Sequence, residues 1–552
     1  MKTIKFTIII ALCSVIICGC SKKSATPPHL LAVPQDAAIV LAFNAKQITE
    51  KSGLNNIKQY KFYQLIEKEL NQDSEETKFI NDFLKNTRTS GLNLDNVFVY
   101  VVPGNNVYEY STGITFLIDD LKTFEGFIEK LRLGDLSRSP QSIMEDRKIA
   151  MDEGYLQWND EIAVILVGKD NNFDLLNKDE AKSILANELF KSEYSDKNDA
   201  YFFAEYNSII KLVDDFSSLY LGQSANVNFD TYKDISLSVS VNSEKGEFVA
   251  TAKMLPAEKA KKLFDKFYKT DFNADLYKYF PDKSMLAVKV AIKPLDVYNE
   301  YKKSVGLGVT EEPTGTTNEE VEILDEDGNV TDVESIVIDE YSAYSRNYNY
   351  GTKMLIEQYD AKITSVLENF TGDFLGSLFG ITNGMPDFAL AAGITEGKEN
   401  DVIALIEEAG FAKNPDDYYS LSIQNFNFYF AVNNNIAYLT GNTESMAKFF
   451  DNGYSSNITS AKDLGKELKS AVNYGYLDIN INNYPAIFKF IISTSPEGKL
   501  TMPLLEKLKS ITAKTDANSN EFKIKFNDSD SALKIILKGI DDLIVEHLGL
   551  AH

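Results

Sequence analysis

Residues 155–163 read Tyr-Leu-Gln-Trp-Asn-Asp-Glu-Ile-Ala, and residues 429–437 read Tyr-Phe-Ala-Val-Asn-Asn-Asn-Ile-Ala. Tyr, Asn, Ile and Ala recur in the second stretch at the same spacing as in the first. Each stretch joins two apolar runs through a short polar one, which predicts two strands and a tight turn. A change of one residue within a strand would move its side chains to the other face, so the unchanged spacing preserves the buried face. We therefore expect Ile162 and Ile436 to be buried at equivalent places.

Further matches follow in the same order along the chain. Tyr201 and Tyr474 open similar stretches, and Gly113-Ile-Thr recurs as Gly393-Ile-Thr, with each pair separated by nearly the same length of chain. An amphipathic helix is predicted early in each half and a closing hairpin late in each half. The helices are marked by Phe62, Tyr63, Ile66 and Leu70 and by Leu355, Tyr359, Ile363, Val366 and Phe370, and the hairpins cover residues 235–254 and 522–537. Several ordered matches indicate an internal duplication.

The predicted fold is therefore α+β, with two tandem similar halves, each a mainly antiparallel sheet with packed helices. We place the first half at residues 33–275 and the second at residues 280–550. The second half carries an acidic insertion at residues 306–350, in which residues 321–324 and 333–338 predict a protruding hairpin. Trp158, the single tryptophan, should be in the core, as should Tyr201 and Tyr474 at matching positions.

The N-terminus has the pattern of a signal peptide. Lys2 and Lys5 precede an apolar run at residues 6–17, which is too short for a comfortable membrane span. The sequence Ile17-Cys-Gly-Cys20 then resembles a bacterial lipobox, whose cysteine is acylated. Residues 1–19 are thus predicted to be removed, Cys20 to carry the lipid, and residues 20–32 to form a tether. The alternative is an uncleaved anchor helix.

Composition restricts the chemistry. All three cysteines lie at or before Cys20, and the three histidines are His29, placed in the tether, and His547 and His552 near the C-terminus. A catalytic triad, a histidine base or a zinc site inside the body is therefore not expected, and no cofactor is predicted. The formal net charge is −25, and removal of Lys2 and Lys5 with the leader takes it to −27. This charge disfavours nucleic acid as a partner.

Carboxylates are the remaining candidates for catalysis. Glu205 and Asp478 occupy equivalent predicted strand positions in the two halves, each two residues before an Asn. Two such carboxylates facing each other could hydrolyse a glycan. The same pattern can instead end a strand and cap the following segment, and this structural interpretation is favoured.

Two patterns in the insertion have a functional and a structural interpretation. Asp325, Asp327, Asn329 and Asp332 alternate like calcium ligands, but Gly328 and the missing terminal Glu depart from an EF-hand, and Asp-Gly is an ordinary hairpin turn. The tyrosines after the hairpin could bind a sugar or a peptide, or pack the insertion onto the body, which is favoured. They are Tyr341, Tyr344, Tyr348 and Tyr350.

The leader, the length, the opening at residues 34–37 (Pro-Gln-Asp-Ala) and Lys-Ser-Gly-Leu at residues 51–54 resemble a family of Bacteroidota lipoproteins. That family is catalogued only as a domain of unknown function. The resemblance implies a cell-envelope lipoprotein and no catalytic residues. In proteins of that phylum, acidic residues just after the acylated cysteine resemble a signal for export to the cell surface. Here residues 21–24 are Ser-Lys-Lys-Ser, which favours a periplasm-facing protein. Asp530-Ser531-Ala532 also resembles an O-glycosylation site of these bacteria.

The sequence thus predicts a membrane-anchored envelope lipoprotein, facing the periplasm from the inner leaflet of the outer membrane. We expect a non-catalytic binding or scaffold protein whose partners are the bilayer, through acylated Cys20, and an envelope protein or glycan. A carboxylate-dependent glycan hydrolase is the alternative.

Overall fold

The computed structural model describes most of the chain beyond the leader and the residues that follow it. The described residues are 27–64, 87–104, 110–131, 147–151, 154–168, 176–212, 234–304, 317–324, 330–338, 345–382, 385–424, 426–462 and 464–547. Cys20 and the predicted signal peptide lie outside them. None of the described helices is both long and apolar enough to cross a membrane.

The strands are numbered in chain order. They are β1 (Ile39–Asn44), β2 (Leu92–Val102), β3 (Ser111–Ile118), β4 (Lys148–Met151), β5 (Gly154–Trp158), β6 (Ile162–Gly168), β7 (Ala200–Glu205), β8 (Ser236–Glu244), β9 (Glu247–Leu255), β10 (Leu286–Ala291), β11 (Thr317–Leu324), β12 (Val330–Ile338), β13 (Phe370–Thr382), β14 (Met385–Ile394), β15 (Ala412–Lys413), β16 (Tyr419–Ile423), β17 (Phe426–Asn433), β18 (Ile436–Thr440), β19 (Asn473–Asp478), β20 (Leu508–Thr515) and β21 (Asn520–Phe526).

The α-helices are α1 (Pro28–Leu31), α2 (Ala45–Ser52), α3 (Leu121–Leu131), α4 (Glu188–Glu193), α5 (Ala257–Phe267), α6 (Pro294–Ser304), α7 (Ser345–Leu367), α8 (Glu399–Glu408), α9 (Thr443–Phe450), α10 (Gly465–Ser470), α11 (Ala486–Thr494), α12 (Pro496–Leu505) and α13 (Ala532–His547). Short 3₁₀ helices cover Leu54–Gln59, Thr87–Ser90, Glu180–Lys182, Ile184–Ala186, Ala274–Tyr279, Ile458–Ser460 and Ile481–Asn483.

Nineteen strands form one continuous antiparallel sheet, so the predicted α+β class is confirmed. Its spatial order is β4-β5-β6-β3-β2-β1-β7-β8-β9-β21-β20-β19-β10-β13-β14-β18-β17-β16-β15. The other two strands, β11 and β12, form the separate hairpin predicted in the insertion. Its turn residues, including Asp325, Asp327 and Asn329, lie outside the described residues, as do Tyr341 and Tyr344.

From its centre outward, the sheet has the same strand order on both sides. The strands from β9 to β4 run 9-8-7-1-2-3-6-5-4, and those from β21 to β16 run 21-20-19-10-13-14-18-17-16. Registers agree as well, because Tyr155 faces Leu166 across β5–β6 and Tyr429 faces Thr440 across β17–β18. The two corresponding strands β9 and β21 pair antiparallel at the centre. This arrangement approximates a twofold axis normal to the sheet, near the pair Thr251 and Glu521.

The predicted core positions are buried. Ile162 and Ile436 are 1% and 2% exposed, and Tyr201 and Tyr474 are 2% and 3% exposed. Trp158 packs edge-on against Phe124 of α3. Matching side chains are therefore buried in both halves of the sheet.

Three sequence predictions are wrong. Gly113 and Gly393 are not equivalent, because Gly113 pairs with Leu166 whereas Gly393 pairs with Ile436, which corresponds to Ile162. The predicted hairpin at residues 522–537 is instead the strand β21 followed by helix α13, and β21 pairs with β20. The alternation in 508–515 and the helical spacing of apolar residues after Ala532 are the signals that identify these elements.

The third error concerns the start of the folded body. Residues from Pro28 are already folded, so the tether cannot extend to residue 32. His29 is 0% exposed and its ring lies 4.9 Å from that of Phe98. Burial lowers the pKa of His29 to about 3, against a smaller opposing effect from the backbone of Asn96. This neutral histidine is a core residue, and its partner Phe98 belongs to the apolar cluster that also contains Leu30 and Val33.

Two helix predictions need revision or lie outside the described chain. The helix predicted through Phe370 ends at Leu367, because Phe370 begins β13, and its markers Leu355 and Tyr359 are exposed rather than packed. The earlier helix was marked partly by Ile66 and Leu70, which lie outside the described residues. Tyr348 and Tyr350 lie on α7.

The helices that follow the two central hairpins contact both halves. Helix α5 follows β9 but packs against α6 of the second half, where Lys266 lies 2.7 Å from Glu300. Helix α13 follows β21 and packs against both α12 of the second half and α2 of the first half. Asp541 of α13 accepts hydrogen bonds from the backbone N–H groups of Lys61 and Phe62, at 2.8 and 2.7 Å. These helix contacts link the two halves beyond the shared sheet.

Candidate functional site

An apolar cleft of about 420 Å³ lies beside the centre of the sheet, and we call it the junction cleft. Strand alternation places its apolar side chains on one face. These side chains are Val239, Ala250, Ala252, Val288, Val290, Ala513 and Phe522, and Gly475 lies among them. Asn473, Thr515 and Asn520 add polar groups to the same lining. A volume of this size, an apolar floor and a few polar groups are typical of small-molecule sites.

The cleft exists because the second half has small residues where the first half has large ones. Across β1, β7 and β8 the cross-strand row is Leu41, Phe202 and Val239. The corresponding row across β10, β19 and β20 is Val288, Gly475 and Ala513. Each of the three positions loses side-chain volume. The same cross-strand row therefore carries larger side chains in the first half than in the second.

The floor offers an apolar surface without free backbone groups. Gly475 sits between β10 and β20 in an unbroken ladder, so its backbone groups are used by the sheet. Phe522 remains 41% exposed, and Ala250 and Ala252 are only half-buried. A bound molecule would be held by apolar contact, and burial of these side chains would favour binding at about 25 cal/mol per Å².

The opposite face at the same place is polar and charged. Lys514 lies 3.0 Å from Asp516, whose side chain holds the pKa of Lys514 above its usual value. Lys289 is buried there and donates to the carbonyls of Leu468 and Ala471, at 3.0 and 2.6 Å. Burial lowers the pKa of Lys289 to about 8, although Asp373 and Asp516 oppose the shift. These contacts hold helix α10 on the sheet.

Glu205 and Asp478 are equivalent but not adjacent. Each ends its strand, β7 or β19, and these strands are antiparallel and five strand spacings apart, or about 24 Å along the sheet. The ends of β7 and β19 therefore point to opposite ends of the strands in the sheet. The two carboxyl groups of a glycosidase must instead lie about 5–9.5 Å apart. Asp478 accepts from the backbone of Asn480 at 2.9 Å and from the Asn483 amide at 2.7 Å. The structure gives Asp478 a capping role and does not assemble the predicted pair.

Other candidate groups are engaged locally. Among the described residues no cluster of three or more His, Cys, Asp or Glu side chains has the geometry of a metal site. The hydroxyl of Ser531 lies 3.1 Å from that of Ser243, in the turn before α13. The proposed glycosylation motif therefore contributes to packing between the halves.

A family model described as a domain of unknown function (DUF4836) matches residues 31–533. The chain belongs to this family. The match begins close to the observed start of the folded body at Pro28 and includes all of the sheet. No curated protein matches the chain.

Three solved structures are similar to parts of this DUF4836 chain, and all are crystal forms of TP0453. Form I is 9% identical, with a TM-score of 0.21, and the match covers 42% of this chain and 80% of that chain. Form IV is 8% identical, with a TM-score of 0.23, over 45% and 89% of the two chains. Form III is 8% identical, with a TM-score of 0.20, over 45% and 91%. Scores of this size carry no argument about fold or function.

The junction cleft was not predicted from the sequence. The sequences of the two halves do contain the difference in side-chain size, as Phe202 against Gly475 and Val239 against Ala513. This difference can be recognised only after the halves are aligned strand by strand. Tyr201 and Tyr474 already fix that alignment, because Phe202 and Gly475 directly follow them. The neighbour of each strand, which brings the small residues together, is visible only in the folded sheet.

Proposed function

We propose that this chain is a lipid-anchored, non-catalytic protein of the bacterial cell envelope that binds an apolar ligand in the junction cleft. The observation that carries the binding role is the cleft itself, hollowed by Val288, Gly475 and Ala513 in one half of a two-part sheet. The ligand class follows from the lining, which favours an apolar chain or ring system such as a lipid acyl group.

The two halves are proposed to be copies of one unit. Support comes from the shared strand order, the shared registers and the matching burial of Ile162 and Ile436. Duplication of a binding scaffold allows one copy to keep large side chains at these positions while the other opens a site. The contrast between Phe202 and Gly475 fits such a division.

The anchor is proposed to be Cys20 of a Bacteroidota lipoprotein, facing the periplasm. Its support is the leader, with Lys2, Lys5 and the apolar run before Ile17-Cys-Gly-Cys20. Two or three acyl chains hold a protein stably on a bilayer, whereas a single chain anchors only marginally. Replacement Cys20→Ala should abolish incorporation of labelled palmitate and release the protein from membranes, and unchanged labelling would refute the anchor.

The binding role is tested by filling the cleft with the residues of the first half. The double variant Gly475→Phe, Ala513→Val reproduces Phe202 and Val239. A Cβ atom at Gly475 would meet only Ala513, at 3.8 and 3.9 Å, so side chains fit the backbone there. We expect saturable fluorescence enhancement of N-phenyl-1-naphthylamine with the natural protein and at least about a tenfold weaker affinity with the variant.

The matched control is Thr251→Val, on the opposite face of β9. It should bind the probe as the natural protein does. Equal melting temperatures would show that the filled variant is folded. Unchanged probe affinity in a folded Gly475→Phe, Ala513→Val protein would refute the proposed ligand site.

A further inference from the structure

Helix α11 exposes a continuous apolar stripe. Its nine residues read Ala-Ile-Phe-Lys-Phe-Ile-Ile-Ser-Thr, and none of them is buried. Ile487, Phe490 and Ile491 are 56%, 62% and 58% exposed. Their spacing of three and four residues places them on one side of the helix. Single exposed apolar residues are common on proteins, but three large ones on one short helix mark an interaction surface.

Contacts with the body hold only the other side of this helix. Lys489 lies 2.5 Å from Glu506 and donates to Asn482 at 3.2 Å, and Phe488 meets the ring of Tyr484. A helix of nine residues is about 13.5 Å long, and helices this short are marginal in water without tertiary packing. The outer stripe therefore lacks the burial that normally stabilises such a helix.

The charge of the segment that begins with α11 favours an anionic partner surface. Residues 486–509 contain four lysines and two glutamates, a net charge of +2 within a chain of net charge −25. Three of these lysines are Lys499, Lys507 and Lys509, which follow the helix in sequence. An apolar stripe in a segment with excess lysine is a feature of helices that lie in a bilayer interface. A strongly acidic chain would otherwise be repelled from anionic lipid.

The proposed anchor holds the start of the folded body close to a bilayer. Residues 21–27 separate Cys20 from the folded body at Pro28, and seven extended residues span at most about 25 Å. At nine residues, α11 is too short to cross a membrane and would lie in its plane. We propose that α11 is a second, peptide-borne membrane contact, with Ile487, Phe490 and Ile491 inserted at the interface of an anionic bilayer. This inference rests on the proposed membrane location but does not require the acyl chains.

The test uses the chain from residue 20 onward carrying Cys20→Ala, which keeps every described residue and removes the lipid. We expect it to float with phosphatidylethanolamine–phosphatidylglycerol vesicles. The triple variant Ile487→Ser, Phe490→Ser, Ile491→Ser should lose at least about tenfold in vesicle affinity, because large apolar side chains favour transfer out of water when they are buried. In a Trp158→Phe background, Phe490→Trp should shift its emission to the blue when vesicles are added.

The matched control replaces two apolar residues with similar exposure elsewhere, Ile423→Ser with Phe426→Ser, which are 53% and 41% exposed in the natural protein. It should bind vesicles normally. Equal flotation of the triple variant would overturn the proposal. So would a concentration-dependent dimer that the triple variant abolishes, since a second copy would then cover the stripe. Palmitate labelling of Cys20 is read separately, so failure of α11 and failure of the anchor are distinguishable.

Discussion

Acid should destabilise the first half of this protein through His29. The ring is fully buried against Phe98, and burial lowers its pKa from 6.5 to about 3. In the unfolded chain the same ring protonates near its ordinary pKa of about 6.5. The unfolded state therefore binds more protons than the folded state at every pH between these two values. The stability that this neutral ring contributes is complete above about pH 6.5 and is lost as the pH falls toward 3.

The size of the effect follows from the gap between the ordinary pKa and the working pH. A pH of 5 lies about 1.5 units below the pKa of the unfolded ring, and each unit of this difference corresponds to about 1.36 kcal/mol. The free energy of unfolding should fall by about 2 kcal/mol between pH 7 and pH 5 from His29 alone. The variant His29→Leu keeps an apolar side chain at the site and lacks this proton-linked loss.

Trp158 provides the signal, because it is the single tryptophan and lies buried in the first half. Urea unfolding followed by its fluorescence should be measured at both pH values for the natural protein and His29→Leu. Carboxylates titrate in both proteins, so the difference between the two pH effects isolates His29. Equal pH effects, or a resonance of His29 in the folded protein titrating near its ordinary pKa, would refute the reasoning.

Two further predictions concern contacts between distant parts of the chain and the space around glycines. Asp541→Ala should lower the free energy of unfolding by about 2–3 kcal/mol, because two backbone donors at Lys61 and Phe62 lose a buried charged acceptor. The control Asp542→Ala removes an exposed ion pair with Lys61 and should lower the free energy of unfolding by less than about 1 kcal/mol, measured by urea unfolding. Equal losses in the two variants would contradict the role given to the hydrogen bonds of Asp541. Gly113→Ala should cost about 3 kcal/mol or prevent folding, since its Cβ would lie 2.0 Å from the buried ring of Tyr100. Gly475→Ala should change the melting temperature little, and equal effects of the two glycine variants would show that the cleft is not open space.

The sequence by itself determined the local elements that repeat. The spacing of Tyr155, Asn159 and Ile162, and the same spacing of their counterparts in residues 429–437, specified paired strands with a fixed buried face. Such a pattern is readable because side-chain alternation and tight-turn geometry depend only on neighbours in the chain. The α+β class follows from the same information.

Only the tertiary structure decided which surfaces are covered. Asp541 reaches Lys61 from the far end of the chain, and α13 packs against α2 of the first half as well as α12 of its own half, neither of which a local pattern encodes. His29 looked like part of a tether because two prolines precede it, yet contacts with Phe98 bury it. The hollow at Gly475 likewise depends on its cross-strand neighbours Val288 and Ala513. Burial and cavities are set by contacts between elements far apart in sequence, whereas periodicity reports only the face that each element turns inward.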